Sequence, residues 1–185
     1  GTDEFIAASA GNHAQGVALA ASRCGADSTI VMPRTAPQAK IDATRGYGAT
    51  VELVGQDFQE AMNYAQNAAA ESDAVFVHAY DDPDNVAGQG TLGVEMYEAT
   101  PGADTVVVPI GGGGLISGIA KAYVELDPDT RIVGVQAKGA ATVAESLQKG
   151  VPVSLDSVDT IADGIATGGV SELTLSIIED HVDEV

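Results

Sequence analysis

Apolar residues along the chain occur in two patterns, short continuous runs and longer stretches with helical spacing. The run at 105–110 is apolar apart from its first residue, which is typical of a parallel strand covered on both faces. The stretch at 57–71 instead repeats apolar residues every three or four positions, which predicts a helix with one face inward. By the same criteria the predicted strands are 5–8, 28–32, 50–54, 74–78, 105–110 and 131–136. The predicted helices are 13–24, 37–45, 57–71, 85–99, 115–126 and 142–148.

Strands and helices therefore alternate along the whole chain. This order predicts an α/β fold, with mostly parallel, twisted sheets flanked by helices. The helix at 85–99 separates two segments with the character of ligand-binding loops, so it could bridge two lobes. We expect a small lobe at 1–95, which carries one loop, and part of a larger lobe at 96–185, which carries the other.

The charge balance narrows the possible partners. The 185 residues include 27 Asp and Glu against 8 Lys and Arg, a net charge of −19, so a nucleic-acid partner is not expected. Acidic residues scattered over the surface favour adaptation to high salt, and an ordinarily acidic mesophilic protein is the alternative. No apolar run approaches a membrane span and no secretion signal is visible. A single cysteine, Cys24, agrees with a reducing cytoplasm.

Four consecutive glycines, Gly111–Gly114, follow one predicted strand and precede a helix. Glycine lets backbone N–H groups approach a ligand closely, and a helix N-terminus attracts negative charge. A tight turn alone would need only one or two glycines, so the run predicts an anion site. The spacing does not fit the dinucleotide fingerprint, since Leu115, Ile116 and Ser117 stand where a glycine is needed. It does not fit the nucleotide P-loop either, since Lys121 comes too late and follows Ala120. A phosphate monoester is the expected ligand.

The second run, Ser9-Ala10-Gly11-Asn12-His13, lies at the start of another predicted helix. Its backbone donors and polar side chains suit a carboxylate, and we expect it to form the other half of one small anionic site. Asn12 could instead be a helix cap, and His13 a histidine satisfied by the backbone. The three histidines lie far apart without clustered carboxylates, so no metal site is predicted.

Five segments in the same order resemble the threonine ammonia-lyase branch of the fold type II pyridoxal-phosphate enzymes. They cover nearly the whole chain, and together they are specific although each alone is modest. The matching segments are Ser9–Gly16, Met32-Pro33 with Lys40 and Gly48–Val51, His78 to Thr91, Gly111–Leu115, and Asp163-Gly164.

This resemblance implies a pyridoxal 5'-phosphate enzyme that removes water from L-threonine, and also L-serine. Hydrolysis of the resulting enamine would then give a 2-oxo acid (2-oxobutanoate from threonine) and ammonia. It implies that backbone amides of Gly111, Gly112, Gly113 and Gly114, with Leu115 close by, hold the cofactor phosphate. Gly164 would lie near the cofactor ring and Asn12 would bond its phenolic oxygen. Ser9, Ala10, Gly11, Asn12 and His13 would close on the substrate carboxylate. A cytoplasmic homo-oligomer of amino-acid metabolism, in isoleucine biosynthesis, is also implied.

The chain departs from the family pattern in three places. None of its lysines, Lys40, Lys121, Lys138 and Lys149, lies in the Ser-Phe-Lys-x-Arg-Gly-like context that binds the cofactor covalently. The segment that faces the pyridine nitrogen in the family is also absent. Where relatives such as serine racemase bind a metal through acidic residues, this chain has Gln136 and Thr142.

These departures predict a central fragment, inactive by itself, of an enzyme that needs a lysine from elsewhere. Serine racemase or another β-eliminating lyase of the same fold is one alternative. A phosphate- or amino-acid-binding module without catalysis is the other, and the absence of the lysine is the feature that favours it.

Overall fold

The structure is a computed structural model and describes residues 4–185. Its strands are β1 Glu4–Ala8, β2 Asp27–Met32, β3 Thr50–Leu53, β4 Val75–Phe76, β5 Thr105–Pro109 and β6 Arg131–Val135. Its α-helices are α1 Asn12–Cys24, α2 Gln38–Gly46, α3 Phe58–Ala70, α4 Pro83–Ala99, α5 Gly114–Leu126, α6 Val143–Lys149 and α7 Glu172–His181. Two short 3₁₀ helices are Lys138–Ala140 and Asp163–Ile165. The expected α/β class with parallel sheets is confirmed.

The residues group into two compact units, one ending at Ala79 and the other comprising Tyr80–Val185. In the first unit four parallel strands lie in the order β3-β2-β1-β4. Successive side chains of a strand point to opposite faces, so β1 and β2 each contribute to two apolar clusters. Ala7 and Ile30 pack on the α1 and α2 side, whereas Ala8 and Val31 pack against α3.

The second unit is built on the parallel pair β5 and β6. The chain near Val185 continues this sheet, because the N–H of Gly134 donates to the carbonyl of Glu184 at 2.7 Å. Its core is formed by the buried side chains Val106, Val108, Ile110, Ile116, Ile119, Ile132, Val143, Leu175 and Ile178.

Helices α4 and α5 cross so closely that glycines form the contact. A Cβ on Gly118 would lie 2.5 Å from both the Gly90 nitrogen and the Val86 oxygen, and a Cβ on Gly93 would lie 2.8 Å from the Cβ of Ala122. Real Cβ atoms do not approach backbone atoms this closely, so these glycines set the distance between the helices. Helix α4 therefore belongs to the second unit, which begins at Tyr80. The lobe boundary near residue 95 stays a prediction.

Two further features differ from expectation. Strand β5 is not covered on both faces, because Val106 and Val108 are buried while Val107 is 61% exposed. Helix α7 was not predicted, although Ser171 caps it and Leu175 and Ile178 have helical spacing.

Across residues 4–185, none of the helices combines the length and apolar character required to span a membrane.

Candidate functional site

The glycine loop, Gly111–Gly114, connects β5 to α5 in the second unit. The N–H of Ile110 donates to the carbonyl of Val135 at 2.8 Å, which fixes the start of the loop to the sheet. Gly113 is the N-cap residue of α5, with φ +94°, a conformation that residues with a Cβ rarely adopt. No side chain caps this helix. The loop therefore presents backbone groups at an open helix N-terminus.

The loop amides are hydrogen-bond donors, and within the described part of the chain they have no protein acceptor. Gly112, Gly113 and Gly114 are buried, and among residues 4–185 no hydrogen bond joins their N–H groups to a protein acceptor. The first turn of any helix leaves such N–H groups unpaired, and a buried donor without a partner costs about 1–3 kcal/mol. An anion that accepts these bonds would recover that cost. The loop has the donors that a phosphate requires.

Side chains behind the loop determine its conformation. A Cβ on Gly112 would collide with the ring of Tyr80, and one on Gly113 would lie 2.9 Å from the Cβ of Thr174. A Cβ on Gly111 would lie 2.8 Å from the Thr167 hydroxyl oxygen. A side chain at any of the three positions would therefore require its neighbour to shift. Tyr80 is itself half-buried, and burial, together with the charge of Asp81, raises the pKa of its phenol.

Gly164 lies in the 3₁₀ helix Asp163–Ile165 and is exposed. The next residue, Ile165, lies behind the glycine loop, with its Cα 3.3 Å from the position of a Cβ on Gly111. The structure thus brings the segment of Gly164 next to the loop. The role of Gly164 beside a cofactor ring stays a prediction.

The run Ser9–His13 forms the turn between β1 and α1 in the first unit. The N–H of Ser9 donates to the Val31 carbonyl at 3.2 Å, and the N–H of Gly11 donates to the Ser9 hydroxyl oxygen at 3.1 Å. Gly11, not Asn12, is the N-cap residue, and Asn12 is an exposed first residue of the helix. The Asn12 side chain is consequently not used as a cap, and the first-turn amides, including that of His13, point out of an uncapped helix end.

The side chain of His13 bonds to the backbone, which is one of the two interpretations that the sequence left open. Its Nε2 lies 3.0 Å from the carbonyl oxygen of Val77, and since a carbonyl only accepts, Nε2 must carry the proton. Burial lowers the pKa of His13, the bond to Val77 raises it, and the charge of His78 lowers it again. The net effect lowers the pKa of His13, so its imidazole favours the neutral form. A substrate role for Ser9, Ala10, Gly11, Asn12 or His13 stays a prediction.

Gln136 makes hydrogen bonds within the fold, and Thr142 is buried in it. The Gln136 side chain accepts from the N–H of Val143 at 2.8 Å and donates to the Ala140 carbonyl at 3.3 Å, so it fixes the turn before α6. Thr142 is fully buried, and its hydroxyl oxygen has no partner among residues 4–185. No group of three or more His, Cys, Asp or Glu with metal-ligand geometry occurs within that same range.

Sequence patterns located both loops but missed the residues that support the glycine loop. Tyr80, Thr167 and Thr174 belong to distant segments, and each is an ordinary residue in its own context. The Ser171-x-x-Thr174 spacing is a helix-start pattern that could have revealed α7. Nothing in the sequence alone connects Thr174 to Gly112.

Comparison with known proteins gives one family. The family described as "Pyridoxal-phosphate dependent enzyme" matches residues 1–185. An L-threonine ammonia-lyase from Geobacter sulfurreducens is 50% identical over 180 residues, which are 97% of this chain and 45% of that protein. The chain thus spans about half the length of the curated relatives it matches.

Two solved structures also resemble this chain. The processed form of threonine deaminase isoform 2 from Solanum lycopersicum has a TM-score of 0.93 at 43% identity, covering 99% of this chain and 51% of that one. Maize serine racemase also has a TM-score of 0.93, at 36% identity, covering 100% of this chain and 56% of the racemase.

Proposed function

The chain belongs to the family of pyridoxal-phosphate dependent enzymes, and from this premise we propose that it is part of a threonine ammonia-lyase. The proposed reaction is loss of water from L-threonine, followed by hydrolysis of the dehydrated product, which takes up a water and releases 2-oxobutanoate and ammonia. L-Serine is the second proposed substrate. The observation that carries the proposal is the four-glycine loop, in which Gly112, Gly113 and Gly114 are buried and their N–H groups have no protein acceptor among residues 4–185. The similarity to an L-threonine ammonia-lyase at 50% identity supports the choice of reaction.

The glycine loop fits the phosphate of the cofactor. A phosphate monoester offers several acceptor oxygens and a negative charge, which match several convergent N–H groups and the positive end of the α5 dipole. The loop has no room for side chains at Gly111, Gly112 or Gly113. The amides of Gly111–Gly114 and Leu115 would hold the phosphate, and Gly164 would lie near the ring.

The turn Ser9–His13 in the first unit is the second proposed ligand-binding segment. Its first-turn amides suit the substrate carboxylate for the same reason that the glycine loop suits a phosphate. The exposed amide side chain of Asn12 is available to bond the phenolic oxygen of the cofactor. His13 would contribute as a neutral group, since it is protonated at Nε2 toward Val77.

When bound, the pyridoxal ring withdraws electrons from the α-carbon of the amino acid, so the proton on that carbon becomes acidic. The residues of this chain bind and orient the substrate. Proton transfer would need a basic group such as a lysine amine, and none of the lysines here lies in the family's cofactor-binding context. We therefore expect residues 1–185 alone to turn over no threonine, with activity only in an enzyme that also supplies that lysine.

The test is the assay of an intact enzyme that contains this sequence. We expect 2-oxobutanoate from L-threonine, and a loss of activity in its Gly113→Ala variant. An intact enzyme with bound cofactor and no 2-oxobutanoate would contradict the proposal. Turnover by residues 1–185 alone would contradict the need for an external lysine. Binding of pyridoxal phosphate by the intact enzyme without turnover of any amino acid would favour a non-catalytic module.

Serine racemase is the second candidate, because the maize enzyme has the same fold at 36% identity. Assays with L-serine and with L-threonine distinguish the two activities. Rapid conversion of L-serine into D-serine without 2-oxobutanoate from L-threonine would favour the racemase.

We also propose that the protein works at high salt. Its net charge of −19 over 185 residues implies strong self-repulsion, which salt screens. The melting temperature should therefore rise steeply between dilute buffer and molar KCl, and a flat response would favour the ordinary mesophilic alternative.

The remaining parts of the proposal concern the cell. The expected setting is the cytoplasm, the expected pathway isoleucine biosynthesis and the expected assembly a homo-oligomer. Deletion of the gene, followed by growth with and without isoleucine, tests the pathway.

A further inference from the structure

A hydrogen bond from helix α7 holds the peptide group between Gly112 and Gly113. Thr174 is fully buried, and its hydroxyl donates to the carbonyl oxygen of Gly112 at 2.8 Å. The two residues are 62 positions apart in the chain. This contact therefore depends on the tertiary fold and not on the local sequence of the loop.

The hydroxyl of Thr174 is itself oriented by the start of α7. The N–H of Ser171 donates to the Thr174 hydroxyl oxygen at 3.2 Å, and the N–H of Thr174 donates to the Ser171 hydroxyl oxygen at 3.2 Å. The alternative acceptors for the Thr174 hydroxyl are the Ser171 hydroxyl oxygen at 3.1 Å and the Ser171 carbonyl at 3.4 Å, and both are more distant than the Gly112 carbonyl at 2.8 Å. The Thr174 oxygen thus accepts from the N–H of Ser171, and the carbonyl of Gly112 is the nearest acceptor for its hydrogen.

Fixing that carbonyl also fixes the next donor. A peptide group is planar and trans, so the C=O of Gly112 and the N–H of Gly113 point in opposite directions. With the oxygen directed at Thr174, the N–H of Gly113 is directed away from α7. Glycine on both sides of the peptide gives it little resistance to rotation, since neither residue has a Cβ. The hydroxyl of Thr174 supplies the restraint that the glycines lack.

We propose that Thr174 is a positioning residue for the phosphate loop, which it keeps in the orientation that presents the N–H of Gly113 to a phosphate monoester. This inference rests on the proposed function of the loop as the cofactor phosphate site. Thr174 does not touch the ligand in this proposal. It acts through the carbonyl of Gly112.

The experiment measures binding of pyridoxal phosphate to the full chain by equilibrium dialysis, with pyridoxal as the ligand that lacks the phosphate. Thr174→Val keeps the shape and removes the hydroxyl, and we expect about tenfold weaker binding of pyridoxal phosphate, the scale of one neutral hydrogen bond. Pyridoxal binding should not change. Thr174→Ser restores the hydroxyl and should bind within about twofold of the wild type.

Thr142→Val is the matched control, because Thr142 is as buried as Thr174 but its hydroxyl oxygen has no partner among residues 4–185. It should bind pyridoxal phosphate like the wild type. Equal binding by Thr174→Val and the wild type would overturn the role of Thr174 while leaving the phosphate site intact. A wild-type chain that binds pyridoxal phosphate no better than pyridoxal would instead contradict the proposed function.

A second measurement uses only the wild type, so it tests the proposal even if the Thr174→Val chain does not fold. In the wild type the backbone amide signal of Gly113 should move on titration with pyridoxal phosphate and not with pyridoxal. A Gly113 signal that stays unchanged while neighbouring loop amides move would overturn the proposal.

Discussion

Replacement of Gly113 by alanine tests the conformation of the glycine loop. Gly113 has φ +94°, and a Cβ there would lie 2.9 Å from the Cβ of Thr174 and 3.1 Å from the Cδ1 of Ile178. Thr174 and Ile178 are buried in the core of the second unit, so they have little space to move. The substitution therefore introduces both backbone strain and overpacking.

The two effects can be estimated separately. An alanine with a left-handed backbone costs about 1–2 kcal/mol. Overpacking of a well-filled core adds about 1–3 kcal/mol. The expected destabilisation of Gly113→Ala is thus about 2–5 kcal/mol, which lowers the melting temperature of a domain of this size by about 4–20 °C.

Gly150→Ala is the control that isolates the backbone strain. Gly150 has φ +67°, and a Cβ there would meet nothing within 4 Å. We expect a loss of only about 1–2 kcal/mol for this variant. Urea unfolding followed by circular dichroism gives both values, and equilibrium dialysis should show weaker binding of pyridoxal phosphate to Gly113→Ala only. If Gly113→Ala is no less stable than Gly150→Ala, the loop does not pack closely against Thr174 and Ile178.

Three further predictions follow from contacts elsewhere in the chain. Gly118→Ala should cost at least about 3 kcal/mol in urea unfolding, since its Cβ would meet backbone atoms of α4 at 2.5 Å, and a loss under 1 kcal/mol would contradict the close crossing. The pKa of His13 is lowered from 6.5, so folding stability should decrease as pH falls through the range below 6.5, and a His13→Gln variant with an unchanged pH profile would refute that assignment. Asp57→Ala should lower stability by about 1 kcal/mol because the Asp57 carboxylate caps α3 through the N–H of Glu60 at 2.9 Å, whereas the exposed change Asp73→Ala should have little effect.

Sequence patterns predicted the strands and most helices because each depends on local spacing of apolar residues. The glycine run and the Ser9 turn were also visible, since a ligand site built from backbone groups needs unusual residues in sequence. Helix α7 was missed because its apolar residues follow a long segment without regular structure. Strand β5 was predicted to be covered on both faces, but composition does not reveal that Val107 is exposed.

The residues that pack against the glycine loop could not be predicted in the same way. Tyr80, Thr167 and Thr174 contact three successive glycines from three separate segments, and only the tertiary fold brings them together. Likewise, the sequence left open whether Asn12 caps α1, and the structure gives that place to Gly11. Side chains that act through contacts distant in sequence leave no local pattern.

A crystal structure of the chain with pyridoxal phosphate would test the phosphate site most directly. The phosphate oxygens should lie about 2.7–3.2 Å from the backbone nitrogens of the Gly111–Leu115 segment, the distance of an N–H···O bond, with no lysine or arginine side chain needed. A phosphate held instead by basic side chains, with the loop amides empty, would contradict the assignment.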